Sequence, residues 1–199
     1  MSTDAERDAE TMKGRFVHDD ISEILLDEST IANRVRELAK ELAEHLADSL
    51  ASDEPIVLVP IMTGSLVFTA DLIRHLPNKM RIGVVTVSSY SGATTERRET
   101  ALQSALPQNL EGRHVVIVDD IFDTGHTMAL LDREARTAGA SGVTSVVLLS
   151  KPARHEVEIR PDFSGFEIPD AFVVGYGLDY DGHYRNLPCI GILRPEAIR

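Results

Sequence analysis

Apolar residues follow two rhythms in this chain. Over residues 27–50, Ile31, Val35, Leu38, Leu42, Leu46 and Leu50 recur at helical spacing, with Arg34, Arg36, Lys40, Glu41 and Glu44 between them. That spacing predicts an amphipathic helix, which Asp27 or Ser29 is placed to cap. Elsewhere the apolar residues run without interruption. Ile56-Val57-Leu58-Val59, Val115-Val116-Ile117-Val118 and the stretch 143–149 read as strands buried on both faces, as in a parallel sheet. Residues 80–87 read as a further strand, and residues 17–24 hold a short strand ahead of the first helix. Helices are predicted over 66–75 and from about 128 to 138. Strand and helix thus alternate, which predicts an α/β fold with a mainly parallel, doubly wound sheet flanked by helices.

Two stretches break the alternation. Residues 88–108 begin with Ser-Ser-Tyr-Ser-Gly-Ala-Thr-Thr and continue through Glu96, Arg97, Arg98 and Glu99, and read as a long mobile functional loop. The tail 151–199 is rich in Pro and Gly with short β-like pieces, and is expected to form a small lobe. Residues 1–14 are polar and charged, and are expected to be a disordered tail.

The densest chemistry lies in Val115-Val116-Ile117-Val118-Asp119-Asp120-Ile121-Phe122-Asp123-Thr124-Gly125-His126-Thr127-Met128. Two adjacent acids fall at the carboxyl end of a strand, where open α/β sheets bind their ligands. Thr124, Gly125 and Thr127 offer hydroxyls and backbone N–H groups at a helix N-terminus, which suits a phosphate monoester. Acids on one side and N–H groups on the other suit a phosphorylated sugar carrying hydroxyls and Mg²⁺. Neither a Walker A loop nor a Rossmann G-x-G-x-x-G is present.

Composition narrows the class. The length of 199 residues suits one α/β domain with a modest appendage, and 43% hydrophobic residues can build its core. A net charge of −12 argues against nucleic acid as the partner, and means that a pyrophosphate site needs metal or local cations. There is no apolar run of about 18 residues to cross a membrane. Cys189 is the single cysteine, so no intrachain disulfide is possible, and the acidic start carries no apolar secretory stretch. The expected location is the cytoplasm.

The motif string closely resembles the 5-phosphoribosyl-1-pyrophosphate (PRPP) binding motif of the type I phosphoribosyltransferases. Further pieces sharpen the resemblance: Ser150-Lys151-Pro152, Phe163-Ser164-Gly165-Phe166-Glu167-Ile168-Pro169-Asp170, Phe172-Val173-Val174-Gly175-Tyr176-Gly177-Leu178-Asp179-Tyr180 and Tyr184-Arg185-Asn186-Leu187-Pro188. These look like the C-terminal lobe of the 6-oxopurine branch, the hypoxanthine–guanine phosphoribosyltransferases. Leu58 to Ser65 and Ser88-Ser89-Tyr90 stand where that family has its pyrophosphate loop and its mobile loop. The resemblance runs over roughly residues 15–192, in order. It implies the type I phosphoribosyltransferase fold in a single domain over 15–199. The core would span about 28–150, with a hood lobe of about 151–199 and part of 15–27.

The resemblance also implies purine salvage: hypoxanthine or guanine plus PRPP gives IMP or GMP plus pyrophosphate, with Mg²⁺. By the same resemblance Asp119 and Asp120 would hold the ribose hydroxyls and help place Mg²⁺. Asp123 would face the purine and exchange its proton. Asp123, Thr124, Gly125, His126 and Thr127 would bind the 5′-phosphate. Lys151 would donate to the 6-oxo group, Phe172 would stack on the base, and the Val173 backbone would meet the base edge. Asp179, counted with the purine residues, would also ligate a second Mg²⁺. Thr63, Gly64 and Arg185 would hold pyrophosphate, and Ser89 and Tyr90 would close over the site. Homodimers or homotetramers are common in the family.

The chain departs from the pattern at Met62-Thr63-Gly64, where many members read Leu-Lys-Gly or Leu-Arg-Gly with an unusual cis peptide. The loss of that cation leaves the backbone N–H groups of Gly64 and Ser65 as the expected pyrophosphate donors. His126 stands where Lys or Asn is common. A xanthine-preferring relative and a PRPP-sensing regulator remain open alternatives.

Overall fold

The computed structural model describes residues 19–49, 55–90 and 99–198. It divides the chain into two compact units, residues 35–170 and residues 1–34 with 171–199.

The larger unit is built on a sheet of seven strands. In chain order they are β2 (Ile56–Met62), β3 (Met80–Ile82), β4 (Val85–Tyr90), β5 (Glu99–Leu102), β6 (His114–Phe122), β7 (Gly142–Ser150) and β8 (Phe163–Glu167). Strand β1 (Ile21–Leu26) belongs to the other unit. The lateral order is β5-β4-β2-β6-β7-β8, with β3 also pairing with β2. All pairs are parallel except β4–β5. The β-branched runs sit in the middle strands, and every residue from Val115 to Val118 is buried. Such strands need cover on both faces, which is why they read as continuous apolar runs rather than alternating ones.

Helix α1 (Glu28–Ser49) carries the expected stripe, with Ile31, Val35, Leu38, Leu42 and Leu46 buried. The Asp27 carboxylate accepts from the Thr30 N–H at 2.8 Å, so Asp27 is the cap, and Ser29 instead donates its hydroxyl to Asp27. Helices α2 (Leu66–Ile73) and α3 (His126–Thr137) follow β2 and β6 directly. Met128, Leu131 and Ala135 of α3 pack with Val115, Ile117 and Val147 in one apolar cluster.

Two sequence expectations change here. The strand predicted over 80–87 is broken at Gly83, whose N–H donates to the Leu58 carbonyl. A Cβ on Gly83 would overlap the Pro107 ring, so the chain kinks where only glycine fits. The loop predicted over 88–108 contains strand as well. Tyr90 pairs with Glu99 and Val87 with Leu102 across the antiparallel β4–β5 ladder, so Ser89 and Tyr90 are strand residues. A polar edge ladder lacks the apolar alternation by which strands are found in sequence. Residues 91–98 of that loop, and the tail 1–14, lie outside the described residues.

The smaller unit holds a three-stranded antiparallel sheet, β1 (Ile21–Leu26), β10 (Ile190–Leu193) and β9 (Val173–Val174), in that order. Ile21, Val174, Leu187, Cys189 and Leu193 form its core. Lys151 to Asp170 group with the larger unit.

Candidate active site

In the larger unit the chain passes from β2 outward to β3 and β4 on one side, and from β6 to β7 and β8 on the other. The order therefore reverses between β2 and β6, and the crevice beyond their carboxyl ends is where an open α/β sheet binds its ligand. Two turns lie there: Thr63 to Ser65 after β2, and Asp123 to Gly125 after β6.

The first turn packs against the end of β6. A Cβ on Gly64 would overlap the Asp120 carboxylate. Asp120 therefore lies directly against the Gly64 backbone, and any larger residue would displace it. Gly64→Ala is expected to raise KM for a ligand held by Asp120 at least tenfold, since a charged hydrogen bond is worth about 1.5–3 kcal/mol. Titration of ligand binding by calorimetry would measure this, and an unchanged affinity would show that Asp120 holds no ligand.

The two acids differ in environment. Asp119 is only 8% exposed, and burial, with the neighbouring Asp120 carboxylate, pushes its carboxyl well above the usual range. Its Oδ1 accepts the Asp120 N–H at 3.0 Å, and Asp120 Oδ1 accepts the Ile121 N–H at 2.9 Å. The turn before α2 is tied down by Ser65, which donates both its hydroxyl, at 2.7 Å, and its N–H, at 3.3 Å, to the Ile61 carbonyl. This corrects the expectation for Ser65: its N–H is spent inside the turn. The Met62–Thr63 peptide is cis, and Thr63 is exposed.

After β6 the chain turns through Gly125 at φ +89°, a left-handed conformation natural to glycine. A Cβ there would also overlap Val157 and Phe122, so the position excludes side chains twice over. No side chain caps α3, and the Thr124 and Thr127 hydroxyls have no partner among the described residues. Uncapped first-turn N–H groups and two hydroxyls make an anion cradle. The His126 ring reaches outward to Glu156 at 2.8 Å.

Lys151 is buried at the end of β7, its N–H donating to the Phe122 carbonyl at 3.0 Å. Its ammonium has no hydrogen-bond or ion-pair partner among the described residues. A buried ammonium without a protein partner is placed to meet a ligand acceptor.

The smaller unit carries the remaining predicted residues. Phe172 is 44% exposed and meets Tyr180 edge to face, with ring centroids 5.5 Å apart. Val173 is buried and pairs with Ile192. Arg185 bonds Asp179 Oδ1 at 2.7 Å and the Gly177 carbonyl at 2.6 Å, so these two predicted residues hold each other. Asp179 Oδ2 accepts the Gly182 N–H at 2.8 Å. A separate cavity of about 310 Å³, lined by Asp20, Tyr184 and Arg194 among others, contains none of the predicted residues.

Sequence reasoning missed two side chains. Arg154 bonds Asp123 Oδ1 through Nε at 2.6 Å, and Glu156 takes the His126 ring. Both stand about thirty positions from their partners. Their only local signal is a place one turn beyond Lys151.

Known proteins resemble this chain in sequence and fold. The phosphoribosyl transferase domain family matches residues 22–181. The hypoxanthine-guanine phosphoribosyltransferase of Bacillus subtilis (strain 168) is 40% identical over 178 residues, covering 89% of this chain and 96% of the relative. That of Lactococcus lactis subsp. lactis (strain IL1403) is 43% identical, covering 89% and 93%. A solved structure of Trypanosoma cruzi hypoxanthine phosphoribosyl transferase superposes with a TM-score of 0.84 at 37% identity, covering 90% of this chain and 95% of that one. With the family's domain over most of its length and its acid pair, turn and helix in one crevice, this chain belongs to the hypoxanthine–guanine branch of the phosphoribosyltransferase family.

Proposed function

We propose that the chain transfers the 5-phosphoribosyl group of PRPP to hypoxanthine or guanine, giving IMP or GMP and pyrophosphate, as a purine salvage enzyme. The observation that carries this reading is the crevice after β2 and β6. There an acid pair at the end of β6, a third carboxylate in the turn after it and an uncapped helix N-terminus follow one another along residues 119–127.

Each residue of the larger unit has a part. The N–H groups and hydroxyls from Asp123 to Thr127 bind the 5′-phosphate. Asp119 and Asp120 bind the ribose hydroxyls, and the Gly64 N–H, with Thr63, meets pyrophosphate. As the new C–N bond forms at the anomeric carbon, the C–O bond to pyrophosphate breaks and pyrophosphate leaves with the electron pair. Asp123 takes the proton from the purine ring nitrogen, so that the N–H bond breaks and an O–H bond forms on the carboxylate. Fixing the base and the sugar supplies much of the rate, because oriented reactants avoid the entropic cost of encounter. Lys151 donates to the 6-oxo group and so selects oxopurines over adenine, whose amino group there is a donor. From the smaller unit, Phe172 stacks on the base, the Val173 backbone meets its edge, Asp179 serves the base and a second Mg²⁺, and Arg185 serves pyrophosphate.

Mg²⁺ fits this donor set. It prefers hard oxygens and is bound through one or two carboxylates plus substrate phosphates. Asp119 and Asp120 offer such oxygens, and a bound cation would favour the ionised form that burial disfavours at Asp119. Asp119 and Asp120 would hold one Mg²⁺ and Asp179 a second, and the bound metal would neutralise the pyrophosphate charge. Ser89 and Tyr90 are assigned to closure over the reacting groups. The active form is proposed to be a homodimer or homotetramer in the cytoplasm.

Initial rates with PRPP and Mg²⁺ on hypoxanthine, guanine, xanthine and adenine test the reading. Turnover of hypoxanthine or guanine without adenine supports it. No turnover with either base removes it, and xanthine turned over fastest replaces it with the xanthine-preferring reading. Lys151→Ala is expected to raise KM for the purine at least tenfold with little change for PRPP, since it leaves the 6-oxo group without a charged donor. The reverse order would reassign Lys151.

A further inference from the structure

Segment 151–157 runs alongside the phosphate turn and is laced to it. The Lys151 N–H donates to the Phe122 carbonyl and the Glu156 N–H to the Thr124 carbonyl, both at 3.0 Å. Val157 fills the space beside Gly125. The His155 ring lies edge to face with Phe122, centroids 4.7 Å apart. One contact in this lacing touches the carboxylate that is to take the proton: Arg154 Nε donates to Asp123 Oδ1 at 2.6 Å. The same guanidinium approaches Asp170 Oδ1 through Nη1 at 3.5 Å.

Arg154 and Asp123 are each 36% exposed. A pair this open adds little to stability. What it does fix is geometry. Asp123 stands on a turn between a strand and a helix, and its carboxylate is free to rotate about two side-chain bonds unless something holds it. A guanidinium is planar and permanently charged, so one strong bond from Nε anchors one carboxylate oxygen and restrains rotation of the group. The other oxygen, Oδ2, is left for a ligand. Asp170, met through Nη1 of the same guanidinium, limits the swing of Arg154 itself.

We propose that Arg154 is a positioning residue for Asp123, holding the carboxylate through Oδ1 so that Oδ2 is presented to the purine, with Asp170 as its second anchor. The inference rests on the phosphoribosyl transfer proposed above. Arg154 touches neither substrate nor the reacting atoms, and acts only through Asp123. Misplacing a reacting group by about an ångström can cost on the order of 10²-fold in rate, which sets the scale of the effect.

The test is a double-mutant cycle on purified full-length protein, with kcat and both KM values measured and folding followed by circular dichroism. Arg154→Gln is expected to lower kcat about 10- to 100-fold while KM for PRPP stays within about threefold. Arg154→Lys, which keeps the charge without the fork, should recover part of the loss, and it serves as the measured variant if the glutamine form fails to fold. In an Asp123→Asn background, removing Arg154 should cost nothing further, because the group it positions no longer accepts the proton. An equal loss in both backgrounds would make Arg154 a structural residue and overturn the inference. So would a wild-type kcat in Arg154→Gln. A wild-type enzyme that turns over neither hypoxanthine nor guanine would remove the functional reading itself, and the inference with it.

Discussion

Asp123→Asn is expected to lower kcat by roughly 10²-fold or more, with only a modest change in KM for PRPP. Asparagine is nearly isosteric, and its carbonyl oxygen can still accept the Arg154 Nε hydrogen bond that now ends on Asp123 Oδ1. The turn should therefore keep its shape, and the phosphate cradle of Thr124 to Thr127 should keep its N–H groups. What disappears is a group able to take the purine proton. The effect therefore belongs in the chemical step, and single-turnover rates would place it there. A variant with wild-type kcat would remove Asp123 from the proton transfer and would leave it as a turn residue.

Asp119→Asn should change two quantities in opposite directions. Affinity for PRPP should fall by about 10- to 100-fold, because a charged hydrogen bond to a ribose hydroxyl is lost. Stability at neutral pH should rise. Burial first, and then the Asp120 charge, push the Asp119 carboxyl above its ordinary value. A carboxyl raised in the folded state binds its proton more tightly there than in the unfolded chain. The stability it confers is fully present below the unfolded value of about 3.9 and is lost as pH rises through the folded value. The neutral asparagine escapes that loss. Unfolding temperatures measured from pH 4 to pH 9 should show the variant gaining on the wild type as pH increases, by about 2–4 °C for each kcal/mol in a chain of this size. Parallel curves at all pH values would show that Asp119 ionises as easily in the folded protein as outside it.

Parts of the architecture that rest on local pattern were visible before any coordinates. The stripe from Ile31 to Leu46 became α1, because helical spacing of apolar residues is a property of one segment. The run from Val115 to Val118 became a central strand for the same reason. The string from Asp119 to Thr127 could also be read as acids followed by a phosphate turn, since strand end, glycine and helix start are adjacent in sequence. The break at Gly83 and the β4–β5 ladder were not visible. The first is imposed by Pro107, and the second is a polar edge pairing whose partners are separated in the chain. The Ser65 N–H, which the sequence leaves open to bind pyrophosphate where the family's usual cation is missing, is instead closed on the Ile61 carbonyl by the folded turn.

The site divides along the same line. Residue types and their spacing alone named the acids and the glycine of the turn, because each stands in a short segment whose geometry is set by its own φ, ψ and periodicity. The lysine after β7 was named only by the family resemblance. Tertiary structure alone decided that Gly64 lies against the Asp120 carboxylate, that Asp119 is buried, that Arg185 holds Asp179, and that Arg154 grips Asp123. Those facts depend on two strand ends being neighbours in a sheet and on a crossover returning segment 151–157 to the turn after β6. A one-dimensional pattern carries no distance between such segments. Proximity across the fold therefore sets the charge state of one acid and the orientation of another, although both acids were named from the chain itself.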